Sequence, residues 1–347
     1  MQFRPAALLL LVCLGAGAEE FATVNSVVAA VRASFHKKGK DLELATSLYQ
    51  AKLGERLEDR VIEILESEGA SPQILGALQH LRDASHPLPP PSKPPLGMTP
   101  PPPPSTVEEH QVWQLARTRA LDYTQSLPDF LCLETVHRWR DPGGHENWQA
   151  SPTVVADLSF VEHKEHYTLA TVDGKPSSKS LLEVGGTISQ GEFGTLLRVI
   201  FDTPSETDYR WDHWTTLRKR PTAVFFYRVS AAHRPNHIVL SGEGGKQVRV
   251  DAGQRGYVYL DRETNRVTRI SEEAEDIPAD FPVQRSSAVL DYDYFDIGGK
   301  LFLLPLRAEI RLDAGKQQSL NSVEFSSYRK FTSASTLTFR DTPPIKK

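Results

Sequence analysis

The chain has 347 residues, with 40 basic and 44 acidic side chains and a net charge of −4. It is too long for a disulfide-stapled peptide and lacks the basic excess with which nucleic-acid binders gain energy from phosphates. At roughly 100–200 residues per domain about two domains are expected; of 25 prolines, eleven lie between Pro87 and Pro104, which places a linker there.

Arg4 precedes an apolar run from Ala6 to Leu14, then Ala16-Gly17-Ala18 and Glu19-Glu20. Charge, apolar core and small residues in that order read as a secretory signal cleaved after Ala18. The run is well short of the ~20 residues that span a bilayer. The expectation is therefore export to the periplasm or beyond, with no transmembrane segment in the mature chain. Bulky Val12 argues against lipid attachment at Cys13. Cys132 is then alone, which excludes an intramolecular disulfide or a paired-cysteine metal site. Within Phe130-Leu131-Cys132-Leu133 it reads as a buried, inert thiol.

Residues 19–86 read as a small helical bundle. Val27, Val28, Val31 and Phe35 form one helical stripe, Leu42, Ala45, Leu48 and Tyr49 a second, and Leu57, Val61, Ile64 and Leu65 a third. Gly69 ends that helix, and Ser71-Pro72 starts another carrying Ile74, Leu75, Leu78 and Leu81. Residues 87–105 form the proline-rich linker, expected as polyproline II at about 3.1 Å per residue and thus able to hold two bodies ~50 Å apart.

Residues 106–347 read as a β-domain opened by one helix. Thr106 and Glu109 have capping-box spacing, and Trp113, Ala116, Ala120, Tyr123 and Leu127 share one face as far as Pro128. Short β-branched and aromatic runs follow at 155–161, 167–172, 209–217, 223–229, 237–240, 247–250, 256–260, 267–270, 288–297, 301–312, 322–331 and 336–339. Turn signals Asp173-Gly174, Pro235-Asn236, Gly242 to Gly245, Thr264-Asn265 and Gly298-Gly299 divide them, so the strands should form an antiparallel meander. Ala308, Ile310 and Leu312 alternate with charges, giving a half-wetted face, whereas Val224 to Tyr227 and Leu301 to Leu304 are apolar at successive positions and imply burial on both faces. The predicted fold is α+β, a curved antiparallel half-barrel covered by helices. Phe193, Leu196, Leu197, Ile200 and Phe201 fall at helical spacing and predict an amphipathic plug or lid, with Gly185, Gly186, Gly191 and Gly194 as its hinges.

Tests for chemistry fail. Thr187 stands where the nucleophile elbow around Ser189 needs glycine. His163 and His166, an odd separation apart in a strand, point to opposite faces, so no metal site is expected. Asp291 and Asp293 read as a solvated strand face. Trp139, Trp211 and Trp214 read as core aromatics rather than sugar platforms. Gly242-Glu243-Gly244-Gly245 runs into a strand rather than a phosphate-binding helix. No enzyme activity, cofactor or metal is therefore expected.

One helix followed by antiparallel strands with a helical plug resembles the half-barrel of LolA-type periplasmic lipoprotein carriers, most closely over Gly256 to Ile270. Leu127 to Cys132, Gly191-Glu192-Phe193-Gly194 and Phe302-Leu303-Leu304-Pro305 are similar to segments of a set of uncharacterised exported bacterial proteins sharing the order of bundle, linker and β-domain. The carrier likeness spans about residues 106 to 340; it implies fold and ligand class, and transfers no binding residue. The expected function is a non-enzymatic exported binding protein holding a lipid or lipidated partner. Phe225, Tyr227, Tyr257, Tyr259, Phe302 and Leu304 are the candidate cavity lining. The alternative is a cell-envelope interaction scaffold with two domains held apart by the spacer, and a third reading is an exported hydrolase.

Overall fold

A computed structural model describes residues 23–35, 39–95, 97–144, 147–177, 193–241 and 247–331. The signal segment, the strand expected at 336–339, the Ser189 region, the Gly242 to Gly245 turn and hinges Gly185, Gly186 and Gly191 lie outside these residues. The chain divides into two compact units, one running to Pro102 and including Trp214–Arg220, the other comprising Pro103–His213 and the chain from Pro221.

The first unit has helices α1 (Val24–Ser34), α2 (Asp41–Gln50), α3 (Asp59–Glu68) and α4 (Pro72–Ser85). Their cores are the stripes read from spacing: Val27, Val31, Leu48, Leu57, Val61, Leu65, Ile74, Leu78 and Leu81 are almost wholly buried. Leu42 and Tyr49 depart from the reading and are exposed, leaving Ala45 and Leu48 as the buried face of α2. Gly69 closes α3 in the left-handed region at φ +114°, as a helix C-cap requires. The proline-rich segment does not stand free over its whole length. The Arg56 amide donates to Pro89 O at 2.7 Å, the buried Arg60 guanidinium donates to Met98 O, and Met98 joins the bundle core. Proline carbonyls cannot pair with amides of their own helix, so they accept from neighbours and draw the segment onto the bundle.

The second unit opens with α5 (Thr106–Leu121) and the single turn α6 (Tyr123–Ser126). Its cap is Ser105, whose hydroxyl accepts from the Glu108 amide. Glu109, expected to reach back to the cap, instead accepts from the Trp211 amide at 2.7 Å. The predicted stripe Trp113, Ala116, Ala120, Tyr123 and Leu127 is buried throughout.

Among the described residues twelve strands follow: β1 (Phe130–Asp141), β2 (Gln149–Val161), β3 (Lys164–Val172), β4 (Lys175–Pro176), β5 (Asp208–Leu217), β6 (Arg220–Val229), β7 (Asn236–Ser241), β8 (Gln247–Asp261), β9 (Val267–Glu275), β10 (Val283–Ile297), β11 (Lys300–Ala314) and β12 (Gln317–Lys330). They form one antiparallel sheet in the order β4-β3-β2-β1-β12-β11-β10-β9-β8-β6-β5, with β7 beside β8, and it stays unclosed between β4 and β5. The fold is thus the α+β open curved sheet expected, with one change to the meander: an additional strand, β1, lies between β2 and β12. Two expected strands merge in β8, because its first half pairs with β7 and its second with β6. Gly256 marks a close backbone approach there, since a Cβ would fall 1.9 Å from Ser271 O.

Register sorts the side chains by face, because directly paired residues point the same way. One row crosses the sheet through Phe225, Val258, Ile270, Leu290, Ala308, Val323, Val136 and Val154. All of these except Val136 are nearly fully buried. This is the face that helices cover, since Trp113 of α5 packs on Phe225 with ring centroids 5.6 Å apart. The neighbouring row, Val224, Tyr259, Arg269, Asp291, Arg307 and Glu324, points to the other face.

Candidate functional site

The predicted plug is helix α7 (Thr195–Phe201). Gly194 precedes it at φ +131°, and a Cβ there would lie 2.2 Å from Thr124 Oγ1, so conformation and space both call for glycine. Phe193, Leu197, Ile200 and Phe201 are buried, while Leu196 is half-buried. The segment joins two aromatic groups. Phe193 packs against Phe130, Phe160 and Phe325 at 5.3, 6.0 and 5.7 Å between centroids. Phe201 meets Trp113 at 4.8 Å, and Trp113 stacks on Tyr209 at 4.1 Å.

Polar tethers hold both ends. Arg117 Nε donates to Phe201 O at 2.8 Å and its other arm reaches Thr203 Oγ1. Arg234 donates to Asp202 at 2.8 Å, which together with the Thr203 amide holds the Asp202 carboxyl below its ordinary range. Thr124 Oγ1 donates to Phe193 O at 3.4 Å. The last carbonyls of a helix have no partner within it, so Arg117 satisfies one that packing alone would leave orphaned.

The structure brings only part of the predicted lining together. Phe225 and Tyr227 share the covered face with α7, whereas Tyr257 and Tyr259 lie opposite Phe226 and Val224 on the other face. Leu303, rather than its neighbours Phe302 and Leu304, lines a pocket beside α7. Leu301, expected to be buried, is exposed where the Gly298-Gly299 turn ends the hairpin. That pocket is bounded by Arg119, Ala120, Tyr123, Leu197, Arg266, Val267, Tyr292 and Leu303 and offers about 10 Å³, the room of one water.

Asp291 is the clearest departure from the reading. It is 1% exposed rather than solvated, accepts a two-pronged contact from Arg269 at 2.7 and 3.0 Å, and takes a third bond from Arg307 at 2.8 Å. A register shift between Asp291 and Tyr292 interrupts the alternation on which the reading depended. Cys132 is buried as expected, and burial pushes its thiol well above the ordinary range. His163 lies in the β2–β3 turn with Nδ1 3.1 Å from Thr124 O. Among the described residues no group of three or more His, Cys, Asp or Glu could hold a metal ion, and no helix is long and apolar enough to cross a membrane. Trp214 is buried and donates its indole N–H to Pro102 O at 2.7 Å, as a core aromatic does.

The fold and site define an open antiparallel half-barrel whose covered face is filled by aromatic side chains and a short tethered helix. No protein-family model matches the chain, and no curated protein matches it. Among solved structures it is similar to a DUF1329 family protein from Desulfovibrio piger, at 11% identity and TM-score 0.34, over 65% of this chain and 94% of that one. It is also similar to a LolA superfamily protein from Nitrosomonas europaea, at 8% identity and TM-score 0.26, over 65% of this chain and 94% of that one. A third match is the MucA/MucB complex of Pseudomonas aeruginosa, at 10% identity and TM-score 0.18, over 64% of this chain and all of that one.

Proposed function

We propose that this chain is an exported, non-enzymatic binding protein that holds an acyl chain or lipidated partner on the covered face of the β-domain, with α7 occupying that place when no ligand is bound. The observation that carries this reading is α7 itself. Seven residues long, it turns Leu197, Ile200 and Phe201 inward yet is fastened by side-chain bonds at its ends and starts at a glycine in the left-handed region. An element of that size can leave as a unit, and the apolar surface it uncovers would stabilise a ligand by about 0.8 kcal/mol per buried CH₂. The described hinge, Gly194, would absorb the backbone change; Phe225 and Tyr227 belong to the proposed lining, and Tyr257 and Tyr259 do not. Export with cleavage near Ala18, and the boundaries 19–86, 87–105 and 106–347, belong to the same proposal.

Native mass spectrometry of gently extracted protein, with titration of a fluorescent fatty acid, tests it. Co-purifying lipid or saturable uptake is expected; neither being seen sinks the carrier reading. The second reading is an envelope scaffold whose β-domain interior is only a core; the small size of the pocket beside α7, about 10 Å³, fits it. Under that reading the probe is refused while partners are still captured. The folding of Met98 into the bundle weakens the version that needed a ~50 Å free spacer.

A further inference from the structure

The pocket beside α7 combines features that the apolar filling of the covered face does not call for. Its floor is apolar, with Leu197, Val267 and Leu303. Two arginines, Arg119 on α5 and Arg266 just before β9, are among the residues that line it, and neither forms an ion pair or side-chain hydrogen bond among the described residues. Tyr123, also among the lining residues, is 3% exposed, and its hydroxyl has no hydrogen-bond partner among the described residues. A buried hydroxyl left unpaired costs about 1–3 kcal/mol, so such a group calls for a partner that the described residues do not supply.

We propose that Arg119, Arg266 and Tyr123 form the head-group end of the ligand site and select a carboxylate carried on an apolar chain. This rests on the reading of α7 as a displaceable helix, because the closed pocket has room for only about 10 Å³. The two guanidiniums offer planar forks that match a carboxylate, and the tyrosine supplies a third donor. Burial raises the Tyr123 hydroxyl far above its ordinary range, so it keeps its proton and acts as a donor. Moving α7 would carry Leu197 away from Leu303 and Val267 and open the apolar floor to the chain attached to that head group.

The test compares dodecanoate with dodecanol, the same chain without charge, by calorimetry on the full chain. Dodecanoate is expected to bind at least about tenfold more tightly. Arg119→Gln and Arg266→Gln should each shrink that ratio, and together bring it near one, while dodecanol binding is unchanged. Arg119 is exposed, so R119Q keeps the fold and reads the ratio by itself even if R266Q does not. Tyr123→Phe should weaken dodecanoate and leave dodecanol alone. Equal affinity for the two probes in the unaltered protein, or a ratio that R119Q and R266Q do not move, overturns the head-group site while leaving apolar binding standing. Refusal of both probes overturns the apolar-ligand reading and this inference together.

Discussion

Replacing Arg117 with Gln tests whether α7 is a latch or a fixed part of the core. The guanidinium makes two bonds to the end of this helix, one to Phe201 O at 2.8 Å and one to Thr203 Oγ1. Hydrogen bonds to a charged group contribute about 1.5–3 kcal/mol each when buried. Arg117 is half-buried, so solvent screening brings the pair down to about 2 kcal/mol. At 1.4 kcal/mol per tenfold, the open population should then rise about 30-fold. Hydrogen exchange read by mass spectrometry should show protection falling by about that factor across residues 193–205, with the strands unchanged. Stopped-flow uptake of a fluorescent fatty acid should quicken in parallel. Loss of protection spread through β6, β8 and β11, or none at 193–205, refutes the latch.

Leu197→Asp places a charge on the buried face of α7, and gating predicts exchange confined to 193–205 with faster probe uptake; a fixed core helix predicts loss of several kcal/mol over the whole domain instead. Asp291→Ala strands the Arg269 guanidinium away from water and should cost about 3–5 kcal/mol in urea unfolding, whereas Arg307→Ala, at the exposed end of the group, should cost about 1 kcal/mol or less. Alkaline pH should destabilise the fold. Burial raises Cys132, Tyr123, Tyr227 and Tyr328 above their ordinary values, so they keep their protons when folded, while the unfolded chain releases them near about pH 8.5 for the thiol and about pH 10 for the phenols. Stability from these groups is whole below about pH 8 and falls as pH rises from there. Urea midpoints from pH 7 to 11 check the slope, and Cys132→Ala should remove its first part.

Much of this fold can be read from local pattern. The bundle stripes, the α5 stripe from Trp113 to Leu127, and the Asp173-Gly174 and Gly298-Gly299 turns, all with positive φ, follow from spacing and turn chemistry. What escaped depends on distant partners. In β1 three buried residues, Phe130 to Cys132, give way to a mixed run of polar and apolar residues without clean alternation, and nothing local shows that β2 and β12 flank it. The turns at Glu162-His163 and Arg218-Lys219 take positive φ without glycine or asparagine, so they carry no turn signature. Asp291 looks solvated until β9 and β11 bring an arginine to each side. At the site, the apolar stripe of α7 was legible. Which aromatics share its face depended on register, and the pairing of Arg119 with Arg266 around one pocket joins residues far apart in sequence.

The placement of β1 beside β12 has a consequence for how the chain is made. Phe130 faces Lys330, partners about 200 positions apart, so a chain emerging from its N-terminal end must hold β1 half-paired until almost the last strand appears. Contacts that far apart in sequence slow folding, and every step before closure leaves open strand edges on β1 and β11. Loss of the segment from Gln317 onward would therefore do more than shorten the sheet. It would fix those two edges permanently in the open state, and the expected product is a chain that pairs with copies of itself and aggregates rather than a smaller folded domain.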